Sequence, residues 1–493
     1  MSAVTSRAEL DVEGLPPELD ELGPEPAPLP LETPAAAAAH EGGAFARRVA
    51  SVFSTQVTLF VLAFATSFLA ARILGKDGKG AYGAITTFPA FLSAFAMLGL
   101  PSAVNYFAGR GVTLGSLIRI SYALTAVLAG IALLVVWIAL PVFETSILSG
   151  AAGYDDMLRL ILVTIPFSFL TAFGGSILYG RQAVKRYNLI QLATAAFTLV
   201  WIVVTLGILH HGVRYAVAGS VIVSIATTVL VMATVHRLDR SATTQPMSLR
   251  RLAGYSARTY PANLSGYFSY RADTYILQAV DASATSGSAG PYGLYTMAVT
   301  MAEVLFYVPN AVATLFLPRV AGATVEESSV MVGRVGRITT LITVAAAIAL
   351  APAGVLAIHL ILPDFVDCLP AFLVLLPGVV SLSVGKVMTS FIGGRGRPGT
   401  IAAGSMISVG LNVALNLVFI PAFGIVGASA ASLVSYTVQA AIAVFFAARI
   451  SGKPPLSLFV PGRAEVALLI ETLPRLLHGV PVLGRLPAVR ARG

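Results

Sequence analysis

Four charged residues stand inside otherwise apolar runs of this chain: Arg271, Asp273, Glu303 and Lys386. A charge in hydrocarbon is expensive, so each is a functional candidate by default. Two chemistries compete for them. An arginine or lysine facing a wet cavity binds a phosphate or pyrophosphate, to which the guanidinium fork is well suited. Alternatively, Arg271 and Glu303 neutralise one another as a structural pair between neighbouring helices. Asp273 lies two residues from Arg271, about 200° around a helix, so the two cannot share a face and one must look elsewhere. A carboxylate in a partly dry cavity takes up and releases a proton as its access changes, and its oxygens also suit a sodium ion. Asp273 and Glu303 are therefore the candidates for coupling to an ion, H+ or Na+. Arg271 and Lys386 are the candidates for an anionic ligand.

The run that carries Arg271 also holds Tyr255, Tyr260, Asn263, Tyr267, Tyr270 and Tyr275. Tyr255 and Tyr275, at its ends, read as interfacial anchors. Tyr260, Tyr267 and Tyr270 are too deep for that. Tyrosine faces stack on sugar rings while an asparagine hydrogen-bonds hydroxyls, so Asn263, Tyr267 and Tyr270 join the substrate-binding candidates. Pro261 removes a backbone hydrogen bond and offers a hinge. The single Cys368 forms no internal disulfide, and no Cys/His cluster has metal-ligand spacing. No metal, cofactor or catalytic residue is expected.

The elements that position these residues follow from composition. Of 493 residues, 56% are hydrophobic and 11% charged, against about 25% charged in a soluble domain. That excludes a water-soluble enzyme, and with roughly 20 apolar residues per span the chain reads as an all-α, polytopic membrane protein. Twelve apolar runs fall at about 50–72, 82–108, 116–142, 157–179, 187–209, 215–235, 255–280, 291–318, 337–362, 370–392, 399–421 and 424–449. Residues 1–46 form an acidic, Pro/Ala-rich leader that reads as disordered and lacks the features of a signal peptide. Residues 451–493 form a basic tail whose apolar stretch, broken by Glu471 and Pro474, suits the membrane surface better than a span.

The net charge of +9 does not point to nucleic acid, because the bases cluster between the runs. Arg47 and Arg48, and then alternate connections (Arg110, Arg119; Arg181, Lys185, Arg186; Arg237, Arg240, Arg250, Arg251, Arg258; Arg319, Arg334, Arg337; Arg395, Arg397), hold seventeen bases. The opposite connections hold five: Arg72, Lys76, Lys79, Arg159 and Arg214. The positive-inside rule then places both termini in the cytoplasm.

The two halves, 47–240 and 241–450, also match one another. Gly80-Ala81-Tyr82 corresponds to Gly293-Leu294-Tyr295, Gly180-Arg181 to Gly394-Arg395, and Gly212 to Gly424, at offsets of 212 to 214 residues. Six spans per half make a parallel repeat, which in transporters flanks a central site with alternating access. A glycan polymerase or ligase needs acids and bases on a sizeable outer loop, and the longest outer connection here is roughly 143–156.

Several runs resemble Wzx-type polysaccharide flippases of the multidrug/oligosaccharidyl-lipid/polysaccharide exporter superfamily. They are GLYTMAVTMAEVLFYVPNAVATLFLPR (293–319), RADTYIL (271–277), LNVALNLVFIPAFGIVGASAASLVSY (411–436) and ARILGKDGKGAYG (71–83). The resemblance covers about residues 48–450. It implies two pseudo-symmetric six-helix bundles around a central cavity. It further implies flipping of undecaprenyl-diphosphate-linked oligosaccharides from the inner to the outer leaflet of the bacterial cytoplasmic membrane. The partners would be the lipid-linked glycan, membrane lipids and the polysaccharide assembly machinery. An ion-coupled multidrug exporter and a lipid II flippase are the alternatives within that superfamily.

The charge count has a direct test. Reporter fusions after residue 250 and after residue 288 are expected to report the cytoplasmic and the opposite side, respectively. The reverse assignment would overturn the orientation.

Overall fold

A computed structural model describes residues 34–145, 153–238, 247–284 and 290–463, with Glu465 and Ala467 beyond them. The chain divides into two compact units, Met1–Ser51 and Val52–Gly493. Of the first unit, the described part is helical from Pro34. That helix lies partly inside the leader read from sequence as disordered. The run Ala35–Ala39 accounts for it, because alanine is the strongest helix former. Everything below concerns the second unit. The interfacial stretch expected at 466–483 lies largely outside the described residues.

The described residues contain helices and no strand. Hydrocarbon offers no water to an unpaired N–H or C=O, and a helix satisfies both within itself. In chain order the helices are α1 (Pro34–Ala96), α2 (Leu100–Gly109), α3 (Leu114–Thr145), α4 (Asp155–Leu162), α5 (Thr164–Gly180), α6 (Val184–Ile202), α7 (Val213–His236), α8 (Leu249–Ala284), α9 (Gly290–Ala302), α10 (Tyr307–Gly322), α11 (Val325–Ile361), α12 (Leu369–Gly394) and α13 (Pro398–Ser451). Nine described segments are long and apolar enough to cross a membrane.

Two of those nine are far too long for one crossing. Thr55–Ala96 has 42 residues and Gly399–Ser451 has 53, about 63 Å and 80 Å at 1.5 Å per residue, against a hydrocarbon core of about 30 Å. Each contains one glycine with left-handed φ: Gly75 at 68° and Gly424 at 55°. Only glycine adopts that conformation without steric cost. Across Gly75, Lys79 Nζ donates to Ser67 Oγ at 3.0 Å. Across Gly424, Asn412 Nδ2 donates to Ser435 Oγ at 2.9 Å. Both elements are therefore helical hairpins. With α8, whose polar residues keep it out of the nine, the described helices make twelve crossings.

Burial divides along the chain. One cluster gathers buried residues from Ala81 to Val235, joined by Leu252 and Tyr292. Two further clusters gather residues from Leu277 to Leu458, joined by Ala71. The halves matched in sequence thus each pack largely among themselves, and the match has a structural counterpart. A Cβ on Gly180 would collide with Asn105 O and Ala108 of α2, and one on Gly394 would lie 2.8 Å from Val320 and 2.9 Å from Leu317 O of α10. The next residue repeats the pattern. Arg181 donates to Val112 O, and Arg395 to Ala323 O at 3.2 Å. Each arginine satisfies a carbonyl where its neighbouring span ends. The first matched pair meets across the halves, since a Cβ on Gly293 would collide with Lys76 O and lie 3.0 Å from Gly80 N.

Beyond α13 the chain folds back. Leu458 is fully buried against α11 and α12. Arg337 of α11 donates to Ser457 O at 2.8 Å and to Glu465 Oε1 at 2.6 Å. Arg337 holds the Glu465 carboxyl below the usual carboxylate range.

The backbone around Gly293 has no room to yield, so Gly293→Ala is expected to cost about 1–3 kcal/mol, as overpacking does. Gly266→Ala, in open space on α8, is expected to leave stability unchanged or slightly raised. Thermal denaturation of the purified proteins in detergent measures both.

Candidate functional site

The expected charges gather around one irregular turn. Between α9 and α10 the residues Glu303–Phe306 adopt a 3₁₀ turn, a tightening that inside a helix often marks a functional hinge. Arg271 Nη1 of α8 approaches Glu303 Oε1 at 3.7 Å, and the two side chains are 41% and 31% exposed. That separation is beyond hydrogen-bonding range, so the carboxylate balances the guanidinium without occupying its fork. Lys386 of α12 joins the same turn from another side. Its ammonium donates to Asn310 Oδ1 at 2.7 Å and sits 3.8 Å from the centroid of the Phe306 ring. Glu303 interacts electrostatically with Arg271 and Lys386 alike. Two cations thus meet at Glu303, and Arg271 also feels the carboxylate of Asp273.

Asp273 looks the other way, as the 200° argument requires. It is 3% exposed. Its carboxylate accepts from Thr274 N at 2.7 Å, Thr274 Oγ1 at 3.0 Å, Ser432 Oγ at 2.9 Å and the hydroxyl of Tyr295. Four neutral donors from α8, α9 and α13 hold the charge. Behind Ser432, Asn412 and Asn416 stack one turn apart, with Asn416 Nδ2 donating to Asn412 Oδ1 at 2.9 Å. Asn416 Oδ1 and Ser429 Oγ are buried without a hydrogen-bond partner among the described residues.

The tyrosines and Asn263 fasten α8 to the second crossing. Asn263 exchanges hydrogen bonds with Ser102 at 3.0 and 3.3 Å. Tyr260 donates to Phe95 O at 3.4 Å, and Ser256 donates to Leu98 O. Those carbonyls are free because the helix breaks at Leu98 and Gly99, both with positive φ. Tyr255 stacks on Tyr106 at 4.5 Å. Nearer the far end, Tyr267 hydrogen-bonds Tyr275, and Tyr275 donates to Thr87 O at 3.4 Å. Thr87 Oγ1 also lies 3.2 Å from the hydroxyl of Tyr292. Asn263 is therefore engaged between helices here, and Tyr267 within α8, on the Tyr275 that reaches Thr87. Tyr270 lies on α8, its side chain outside the described residues. Pro261 sits within α8, which continues through it.

Sequence reading grouped Arg271 with Lys386 and Asp273 with Glu303, offered Arg271 and Glu303 as an alternative pair, and set Asp273 apart from Arg271 alone. The structure places Arg271, Glu303 and Lys386 around one turn and Asp273 on the other face of α8. Sequence reading missed the partners of Asp273, namely Thr274, Tyr295 and Ser432, and the Asn310 that receives Lys386. Asn412 and Asn416 carried a usable signal: two amides four residues apart inside an apolar run share a helix face.

No family model matches the chain, and no curated protein matches it. Solved structures do. The fold is similar to the lipid II flippase MurJ in an inward closed conformation, with a TM-score of 0.67, 13% identity, and coverage of 87% of this chain and 93% of that one. It is similar to a MATE multidrug resistance transporter of the MOP superfamily in an inward-facing conformation, with a TM-score of 0.60, 17% identity, and coverage of 80% and 94%. A MATE protein in a bent conformation follows at 0.53, with 17% identity and coverage of 82% and 95%. The chain has the fold of these membrane transporters.

The two carboxylates are expected to behave differently on removal. Asp273→Ala leaves several buried donors unpaired, at about 1–3 kcal/mol each, and is expected to lower the melting temperature by several degrees. Glu303→Gln, at a half-exposed pair, is expected to change stability by no more than about 1 kcal/mol. Equal destabilisation would place both in the protein's structural core.

Proposed function

We propose that this protein flips a lipid-linked oligosaccharide diphosphate between leaflets by alternating access, with Asp273 as the ion-coupling group. The observation that carries the reading is the convergence of two cations, Arg271 and Lys386, on the 3₁₀ turn. Both act on Glu303, and the Arg271–Glu303 pair is partly exposed and too long for a hydrogen bond, so an anionic head group can compete for the two cations. Guanidinium donors pair with phosphate oxygens bidentately, while the ammonium contributes a point charge. The specific substrate, an undecaprenyl-diphosphate-linked oligosaccharide, comes from the sequence resemblance. So does the direction, from the inner to the outer leaflet of a bacterial cytoplasmic membrane. The likeness to a lipid II flippase supports a lipid substrate in general.

Glu303 balances the empty site and is displaced when phosphate arrives. Asp273 suits the coupling role better than Glu303 because it is held dry by donors from three helices. Loss or gain of an ion there changes how α8, α9 and α13 are tied. Asn263, Tyr267 and Tyr270 serve the glycan once the α8 contacts open. The positively charged end then faces the cytoplasm, with both termini.

The decisive experiment follows a labelled lipid-diphosphate sugar between leaflets in sealed vesicles containing the purified protein. Arg271→Ala is expected to reduce transfer at least tenfold with normal membrane insertion. Arg271→Lys restores it in part, since lysine lacks the bidentate fork. If Arg271→Ala and Glu303→Ala each fail to fold while the double variant folds and transports, the pair is structural and the phosphate role is wrong. Export of cationic drugs without transfer of the lipid would support the multidrug reading instead.

A further inference from the structure

Three bases stand at the tip of the first hairpin, Arg72, Lys76 and Lys79, and the fold treats each differently. Arg72 donates to Ile361 O at 3.0 Å, at the last residue of α11, where a cation suits the helix dipole. Lys76 is exposed. Lys79 is 9% exposed, and the one partner of its ammonium among the described residues is Ser67 Oγ at 3.0 Å. No carboxylate among those residues acts on it. An ammonium has three donors and a full charge, and a single neutral hydroxyl compensates neither. Burying a charge without a counter-ion is costly. A glutamine or serine would tie the two limbs to one another without that charge, so the hairpin alone does not account for Lys79.

Its position does. The second limb of α1 turns Lys76, Gly80, Gly83 and Thr87 towards the other half of the protein. A Cβ on Gly293 would collide with Lys76 O and lie 3.0 Å from Gly80 N, and one on Gly83 would lie 3.0 Å from the Tyr292 ring. Thr87 Oγ1 lies 3.2 Å from the Tyr292 hydroxyl. Lys79 stands at the edge of this stripe, about 40° from Gly83 and about 60° from Lys76 at 100° per residue. The seam joins the halves at the end away from the clustered bases, and alternating access requires it to part. Parting it uncovers Lys79. The site already described lies directly inward, since Tyr292 also feels the charge of Arg271. Lys79 is eight residues beyond Thr87 on the same limb, about 12 Å further out.

We infer that Lys79 is a second anion-binding station, which receives the diphosphate from Arg271 and Lys386 when α9 parts from the second limb of α1. The inference rests on the flippase reading and extends the path of the head group into the first half. Phosphate oxygens accept from the ammonium donors that Ser67 leaves free and supply the missing counter-charge.

Amine modification reads the station directly. Sealed vesicles holding the purified protein are treated with a membrane-impermeant amine reagent on the side away from the clustered bases. Peptide mass spectrometry then scores Lys79 against the exposed Lys76. A polyprenyl diphosphate in the membrane is expected to slow labelling of Lys79 at least tenfold and leave Lys76 unchanged. Inorganic pyrophosphate is expected to protect only at concentrations at least tenfold higher. A Lys79 that never labels, or one indifferent to both anions, overturns the inference. Protection by pyrophosphate alone assigns the site to a free anion and overturns it too. Lys79→Met removes a buried charge at similar volume, so the melting temperature is expected to stay or rise while lipid transfer slows at least tenfold. Ser67→Ala keeps transfer within threefold. An equal loss on Ser67→Ala would reduce Lys79 to a tie between limbs and overturn the station. Labelling needs no transport. Protection of Lys79 without transfer by the unsubstituted protein therefore condemns the flippase reading, whereas normal transfer by Lys79→Met condemns the station alone.

Discussion

In hydrocarbon a polar group has no water to fall back on, and every feature of this fold answers to that constraint. The backbone answers by being helical almost everywhere. Where it breaks, at Leu98 and Gly99, the released carbonyls are met by Ser256 and Tyr260 from α8. Charges answer in two ways. Asp273 is wrapped in neutral donors and kept dry, whereas Arg271, Glu303 and Lys386 stay partly exposed and balance one another. The first arrangement ties three helices together. The second keeps two cations partly exposed around one turn.

The internal repeat acquires a physical meaning from the same constraint. Arg181 and Arg395 each satisfy a carbonyl beyond a neighbouring span, and Gly180 and Gly394 each let that neighbour approach closely. These positions hold neighbouring spans of each half in close contact at the end where the bases cluster. Arg271, Asp273, Glu303 and Lys386 all lie in the second half, whereas the first half buries Lys79 on Ser67.

Much of this was legible in the sequence, because the bilayer imposes lengths and penalises charges so strongly. Apolar runs located the crossings, including the α1 and α13 hairpins that appear as continuous helices. The rarity of buried charges singled out Arg271, Asp273, Glu303 and Lys386, and helical geometry separated Asp273 from Arg271. What remained hidden depends on tertiary contact. Ser432 and Tyr295 are ordinary members of apolar runs until the fold brings them to Asp273. The role of Asn263 was not legible either, since Ser102 meets it only when α8 docks on the second crossing.

The 3₁₀ turn at Glu303–Phe306 makes the segment from Gly290 to Gly322 a screw. An α-helix advances 1.5 Å and 100° per residue, and a 3₁₀-helix about 2.0 Å and 120°. Rewinding four residues from one form to the other would shorten the segment by about 2 Å and rotate its two ends against each other by about 80°. Glu303 would swing off Arg271, and Phe306 would leave the ammonium of Lys386. A ligand that frees those two cations thereby exerts torque on α10, and a twist applied to α10 loosens the ligand in return.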